Sequence, residues 1–355
     1  MGLQLENDKI MTGRGAWWNT SNRFEDRDYA YEDDDAPCGA ERVPTTLIAD
    51  DAKSIVSRND SPDVGFEFSV NPYRGCEHGC VYCYARPTHE YMGYSAGLDF
   101  ETKIFYKADA PRLLEEALSK PRWRPAVVAM SGVTDPYQPT ERKMGLSRGC
   151  LQVFAARRNP VVIITKNRLV GRDSDILQEM ARAGCAGVLV SLTTLDLGLN
   201  RRLEPRTSSP QQRLEVIEAL SEAGIPVGVL VAPVIPGLTD HEIPQLLSAA
   251  RERGARFAGY IVLRLPHAVA PLFTSWLGVH YPERQEKVLN RIQAMRGGQL
   301  YRSVFGERMR GTGIHADQIE RLFSVMHQKL GFESGGMGLR TDQFVRPGGE
   351  QLSLF

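Results

Sequence analysis

The sequence has no apolar run long enough to cross a bilayer. Its longest, residues 227–238, is interrupted by Pro233 and Pro236 and falls short of the roughly 20 residues a spanning helix requires. The first fifteen residues, MGLQLENDKIMTGRG, hold no apolar core of a secretory signal. Both absences predict a cytoplasmic protein with no membrane partner. Net charge is absent as well, because 43 Lys and Arg balance 43 Asp and Glu. That balance conceals an asymmetry. Residues 1–41 carry ten acidic and four basic side chains, which leaves 33 acidic and 39 basic in residues 42–355. A body at net +6 permits a nucleic-acid partner without demanding one. An ordinary solvated surface accounts for it equally well. A hydrophobic content of 42% in 355 residues allows one large core or two modest ones.

Cysteine is scarce, yet three of the six fall within eight residues, as Cys76, Cys80 and Cys83 in a C-x3-C-x2-C spacing. Thiolates this dense repel one another unless a soft metal neutralises them. The loop offers no fourth cysteine. Structural metal sites close their shell, whereas reactive ones keep a position open, and cubane clusters usually take four cysteines. Three ligands therefore point to a cluster with one open iron. A Cys3His zinc site using His78 or His89 is the competing reading.

With the aromatic Tyr82 just before its last cysteine, the motif resembles the signature of the radical S-adenosylmethionine enzymes. The resemblance implies a [4Fe–4S] cluster on the three cysteines and S-adenosyl-L-methionine as cosubstrate. It implies reductive cleavage to a 5′-deoxyadenosyl radical that abstracts hydrogen, and an electron donor such as flavodoxin or ferredoxin.

From residue 65 a short β-rich run, a turn and an amphipathic helix recur. Strands are predicted at 67–71, 126–131, 161–165, 187–192, 227–231 and 260–265. Helices are predicted near 110–119, 145–158, 173–183, 210–223 and 240–253. Gly184 and Gly224 read as helix stops, Asp173 and Asp240 as helix starts. Such alternation predicts an α/β fold with a parallel sheet. Six strands resemble the partial (β/α)6, TIM-like barrel of the family; a doubly wound sheet is the alternative. Residues 1–40 read as a disordered acidic tail in which Trp17 and Trp18 dock on the body, and 41–66 as a lead-in. Residues 67–275 form the barrel, after which the rhythm stops. Residues 276–333, with helices at 282–295 and 317–330, form a C-terminal helical region, and 334–355 a flexible tail.

In either architecture the reactive groups belong at the carboxyl ends of the strands. There the resemblance implies that Tyr82 packs on adenine; core packing is the plainer reading. In place of the family's Gly-Gly-Glu stands a loop with Ser131-Gly132 and Thr134-Asp135-Pro136-Tyr137. Its Ser131, Thr134 and Asp135 would meet the methionyl ammonium, unless Asp135 only caps a turn. Lys166 would meet the cosubstrate carboxylate, or simply water. Ser191 and Arg213 would bind ribose or carboxylate. The order of these segments, with Leu203-Glu204-Pro205-Arg206 and Ala232-Pro233 through Pro236-Gly237, resembles the branch containing spore photoproduct lyase, over residues 42–275. It implies action on DNA in repair; a protein or small-molecule substrate, or a non-catalytic metal scaffold, is the alternative. Spore photoproduct lyase returns a hydrogen atom from a cysteine near the second strand end, where this chain has Ser131 and Gly132. Cys150 and Cys185 lie elsewhere and read as buried hydrophobes.

The chain ends Gln351-Leu352-Ser353-Leu354-Phe355, which resembles the peptide by which bacterial repair proteins hold the DNA sliding clamp. Two leucines and a phenylalanine on a Pro-Gly-Gly leash suit an apolar groove. A tail folded back on its own barrel is the alternative.

Overall fold

The computed structural model describes residues 13–25 and 43–347. Their strands are β1 (Thr46–Ala49), β2 (Val56–Arg58), β3 (Phe68–Val70), β4 (Tyr73–Arg74), β5 (Lys103–Tyr106), β6 (Val128–Met130), β7 (Val161–Thr165), β8 (Ala186–Ser191), β9 (Val227–Val234) and β10 (Phe257–Val262). The main sheet runs β10-β9-β8-β7-β6-β3-β2. Its six strands from β3 to β10 are parallel, and β2 is added antiparallel at the β3 edge. Among the described residues β10 does not pair with β2, so the sheet is an open partial barrel. A small second sheet, β1-β5-β4, packs beside it. No helix of the described residues is long and apolar enough to cross a membrane.

Apolar residues on both faces of the strands explain the layering. In β8 all residues but Leu189 are buried, as a strand sandwiched between helices and barrel interior requires. The helices Ala110–Ser119, Leu146–Arg157, Ser174–Arg182, Pro210–Glu222 and Ile243–Glu252 supply the crossovers. Gly184 and Gly224 end two of them at φ 69° and 73°, where only glycine is unstrained. Ser209 opens the fourth with a capping box, its Oγ accepting from Gln212 N–H while Gln212 Oε1 accepts from Ser209 N–H. Asp173 does precede a helix, but its carboxylate turns to Arg148, Arg172 and Tyr137 instead of the helix amides.

Three expectations need correction. First, the rhythm does not stop at Leu265: the helix Val269–His280 completes the sixth unit and buries Leu272, Phe273, Trp276 and Leu277. Its buried positions 269, 272, 273, 276 and 277 do fall at helical spacing, but Pro271 in its first turn reads as a breaker and masks the pattern. Second, residues 13–25 are packed on the body. Gly15 and Ala16 N–H donate to the buried Glu101 carboxylate at 3.0 and 2.8 Å, and Arg14 Nη1 donates to Glu101 O at 2.7 Å. Trp17 stands 5.6 Å from His280, and Trp18 O accepts from Leu98 N–H. Third, residues 334–347 are a strap under the sheet. Arg340 N–H donates to Gly184 O and Val345 N–H to Arg157 O, Met337 lies against Gly187, and Arg346 donates to Trp123 O. The sliding-clamp-like residues Gln351 to Phe355 lie outside the described residues.

A Cβ on Gly15 would lie 1.7 Å from Gly79 O, inside the cysteine loop. Gly15→Ala is therefore expected to unseat the segment at the cost typical of overpacking, about 1–3 kcal/mol, in urea unfolding. Gly65→Ala, where a Cβ meets nothing within 4 Å, is the matched control and should be close to neutral.

Candidate active site

The cysteine loop is tied down on every side. Cys76 N–H donates to Phe100 O, Val81 N–H to Leu203 O, and Arg206 N–H to His78 O. Gly75 O accepts from Thr134 Oγ1 and Gln138 Nε2, while Glu77 N–H donates to Gln138 Oε1. Behind it, Arg86 donates to Cys80 O and to the carbonyls of Ala96 and Gly97, and pairs with Glu101; both charges are fully buried. This fixes the loop against the carboxyl ends of β6 to β10, where a cavity of about 240 Å³ opens.

Cys76, Cys80 and Cys83 all line this cavity and form no disulfide. Burial, then Asp135 and the neighbouring Cys80 and Cys83, push the Cys76 thiol well above its usual range. Burial also raises Cys80 and Cys83. Buried thiols this close ionise only against compensating positive charge, which a thiolate-bound cluster supplies. The residues fit that group. Among the described residues no three acidic, His or Cys side chains converge on a single-ion site.

Neither histidine can complete a Cys3His set. His78 lines the cavity, but its Nδ1 faces Asp135 at 3.3 Å and its Nε2 faces Asn167 Nδ2 at 3.1 Å. Asn167 Oδ1 accepts from Leu169 N–H, so Nδ2 donates to His78 and the ring proton sits on Nδ1. His89 is packed among Tyr94, Phe100 and Phe105, away from the cavity. Burial lowers its pKa to about 4.

The cavity gathers Tyr82, Ser131, Thr134, Asp135, Lys166 and Ser191. Arg213 is not among them. It is buried behind the wall, where Nε and Nη1 donate to Ser208 O and Ser191 O and Nη2 pairs with Glu204. It therefore braces the site instead of reaching a ligand. Asp135 is likewise committed: Tyr137 N–H and Thr165 Oγ1 donate to Oδ1, and Lys166 N–H and His78 Nδ1 to Oδ2. Burial opposes its ionisation, but His78 and these donors hold its carboxyl below the usual range. It orients His78 and has no acceptor site left for an ammonium. Thr134 donates to Gly75 O and accepts from Gln138. Ser191 lines the cavity, and its carbonyl accepts from Arg213.

Lys166 turns its ammonium into the wall, to a carboxylate of the chain itself. Its Nζ lies 2.9 Å from Ala232 O, 3.3 Å from Thr193 Oγ1 and 3.3 Å from Glu204 Oε1. Tyr82 donates its hydroxyl to the same Glu204, which ties its ring to the cavity wall. Glu204 also accepts from Thr193, Asn200 and Arg213. Burial opposes ionisation, but Arg213 and then Lys166 hold its carboxyl well below the ordinary range.

Several lining residues escaped the sequence reading. Tyr84 donates to Gly132 O at 2.7 Å and lies under the Arg264 guanidinium, 4.7 Å from ring centroid to guanidinium carbon. Position offered a signal for both: Tyr84 follows the last cysteine, and Arg264 stands where the sixth strand ends. Val64, Phe66 and Met309 come from irregular loops, where no pattern marks them. Cys150 and Cys185 do not line this cavity, so no thiol besides the three loop cysteines reaches it among the described residues.

Glu204→Gln is expected to destabilise the fold by about 3–5 kcal/mol at pH 7, because it leaves buried cations unpaired. The folded pKa is depressed, so the contribution is complete above the unfolded carboxyl pKa of about 4.3 and is lost as pH falls. Urea unfolding of both proteins across pH should show the gap narrowing toward acid.

A model of the radical SAM superfamily matches residues 70–250, the span that carries the cysteine loop and the strands β4 to β9. An uncharacterised protein of Mycobacterium tuberculosis is 38% identical over 251 residues, covering 69% of this chain and 73% of that protein. An uncharacterised protein of Methanocaldococcus jannaschii is 27% identical over 245 residues, covering 69% and 87%. Among solved structures, spore photoproduct lyase complexed with dinucleoside spore photoproduct superposes with a TM-score of 0.58 at 16% identity, over 80% of this chain and 79% of that one. The fold is thus shared far beyond the reach of sequence identity. With the family model spanning half its length and the cysteine loop within that span, the chain belongs to the radical SAM superfamily.

Proposed function

We propose that Cys76, Cys80 and Cys83 hold a [4Fe–4S] cluster, that S-adenosyl-L-methionine takes the cavity in front of them, and that the substrate is a damaged or modified base in DNA. One observation carries this reading. Three thiols open on one cavity at the strand ends, His78 is held by Asp135 and Asn167, and His89 does not line the cavity, which leaves the fourth corner to an outside ligand. When bound, the cluster supplies the electron that cleaves the sulfonium and so provides a radical for hydrogen abstraction.

The chain's own residues set the surroundings. The Asp135–His78–Asn167 chain fixes the second and third strand ends beside the cysteines. Ser131 and Ser191 are the lining hydroxyls best placed for the cosubstrate's polar end. Tyr82, pinned by Glu204, offers an apolar wall. The rim from Val64, Phe66, Ile261, Leu263 and Met309 excludes water from whatever lies inside.

Support for DNA comes from the fold shared with a lyase that binds a dinucleoside lesion, and from the +6 charge of residues 42–355. A flavodoxin or ferredoxin would supply the electron. Residues 351–355 would recruit the enzyme to the sliding clamp.

Anaerobic reconstitution should give a brown protein that bleaches with dithionite. Cys76→Ala, Cys80→Ala and Cys83→Ala should each lose the iron and the production of 5′-deoxyadenosine. With deuterated lesion-bearing DNA, deuterium should appear in 5′-deoxyadenosine; label confined to solvent exchange would refute the DNA reading while sparing the cluster. Removing residues 351–355 should abolish capture by the clamp in a pull-down and leave iron content unchanged.

A further inference from the structure

We propose that Arg264 is an oxyanion anchor at the mouth of the cavity. This rests on the reading that cosubstrate and substrate share this cavity. Arg264 follows β10 by two residues and lines the cavity over Tyr84, whose hydroxyl donates to Gly132 O. A guanidinium carries five N–H donors. The contacts it makes here are Nη1 to the Met309 sulfur at 3.2 Å, a weak acceptor, and the face of Tyr84. Its Nε is buried without a hydrogen-bond partner among the described residues. Among the described residues no carboxylate pairs with it: Asp63, whose carboxyl it influences, is held by Arg308.

The other cation on the lining behaves differently. Lys166 has three donors, directed at Ala232 O, Thr193 Oγ1 and Glu204. Arg264 is thus the lining cation with donors to spare. Its position is also fixed in advance. Arg296 Nη2 donates to Leu263 O at 2.9 Å, Val262 N–H to Met309 O at 2.8 Å, and Leu263 N–H to Val234 O at 2.9 Å. Tyr84, the surface beneath it, is tied to Gly132. A buried cationic N–H without an acceptor is unfavourable. A ligand oxyanion relieves it, and the planar fork suits a carboxylate or a phosphate. Two sources bring that chemistry to the mouth: the cosubstrate's carboxylate, and a phosphodiester flanking the reacting base.

The test uses reconstituted full-length protein with Arg264→Gln and Arg264→Lys, each first checked for wild-type iron content. Equilibrium dialysis measures the affinity for S-adenosyl-L-methionine, and fluorescence anisotropy the affinity for a short oligodeoxynucleotide over a salt series. Loss of a charge-assisted pair should weaken one of them about ten- to a hundredfold in Arg264→Gln, with partial recovery in Arg264→Lys. A weaker cosubstrate identifies the carboxylate. Weaker DNA binding, with the slope of log K against log salt reduced by about one, identifies the phosphate. Both affinities unchanged in both variants would overturn the anchor. If wild-type protein binds neither ligand, the functional reading itself falls and the anchor with it.

Discussion

A single buried carboxylate disciplines the whole reaction face. Glu204 is inaccessible to water, and it is ionised because five side chains from separate parts of the chain reach it: Tyr82, Lys166, Thr193, Asn200 and Arg213. A charge in a low-dielectric interior is tolerated only while its partners stay in place. Displacing the cysteine loop, the end of β7 or the end of β8 would therefore strand an ion. The arrangement couples segments more than a hundred residues apart in sequence, and it explains why Tyr82 and Lys166, both on the cavity lining, turn their polar ends to Glu204.

The cysteine loop shows the same logic in backbone form. Eight residues with three thiols cannot build regular structure of their own. Their carbonyls and amides are instead satisfied by Arg86, Phe100, Thr134, Gln138, Leu203 and Arg206. Glu101 completes the support by accepting from Gly15, Ala16 and Arg86 at once. The N-terminal segment thereby becomes part of the wall, and glycines at 15 and 79 allow the two backbones to touch.

Much of this was legible before any coordinates. The helix expected near 110–119 spans Ala110–Ser119, and the strand expected at 161–165 spans Val161–Thr165, because the helical period in the one and the continuous β-branched run in the other speak plainly there. The small sheet β1-β5-β4 was not legible, since its strands are two to four residues long. Nor was the helix Val269–His280, where Pro271 reads as a breaker inside the apolar pattern. Within the site, of the seven non-cysteine residues that residue type and place at a strand end assigned to the cavity, six line it and Arg213 does not. What they could not convey was direction. Arg213 and Lys166 look like ligand cations in one dimension, but Glu204, buried between them, claims both. Asp135 looks like a ligand acceptor until His78 is seen beside it. Arg264 stands past the end of the sixth strand, in a segment whose sequence carries no motif beside it.

The strap at residues 334–347 has a geometric consequence. It travels beneath the barrel from the start of β10, past the starts of β8 and β7, to Trp123 ahead of β6. Pro347 therefore departs from the pole opposite the cysteines. Whatever grips the chain beyond that point pulls on the floor of the molecule, with the opening ringed by Tyr84 and Arg264 turned outward and clear, as a lamp hung by its base still shines away from the hook.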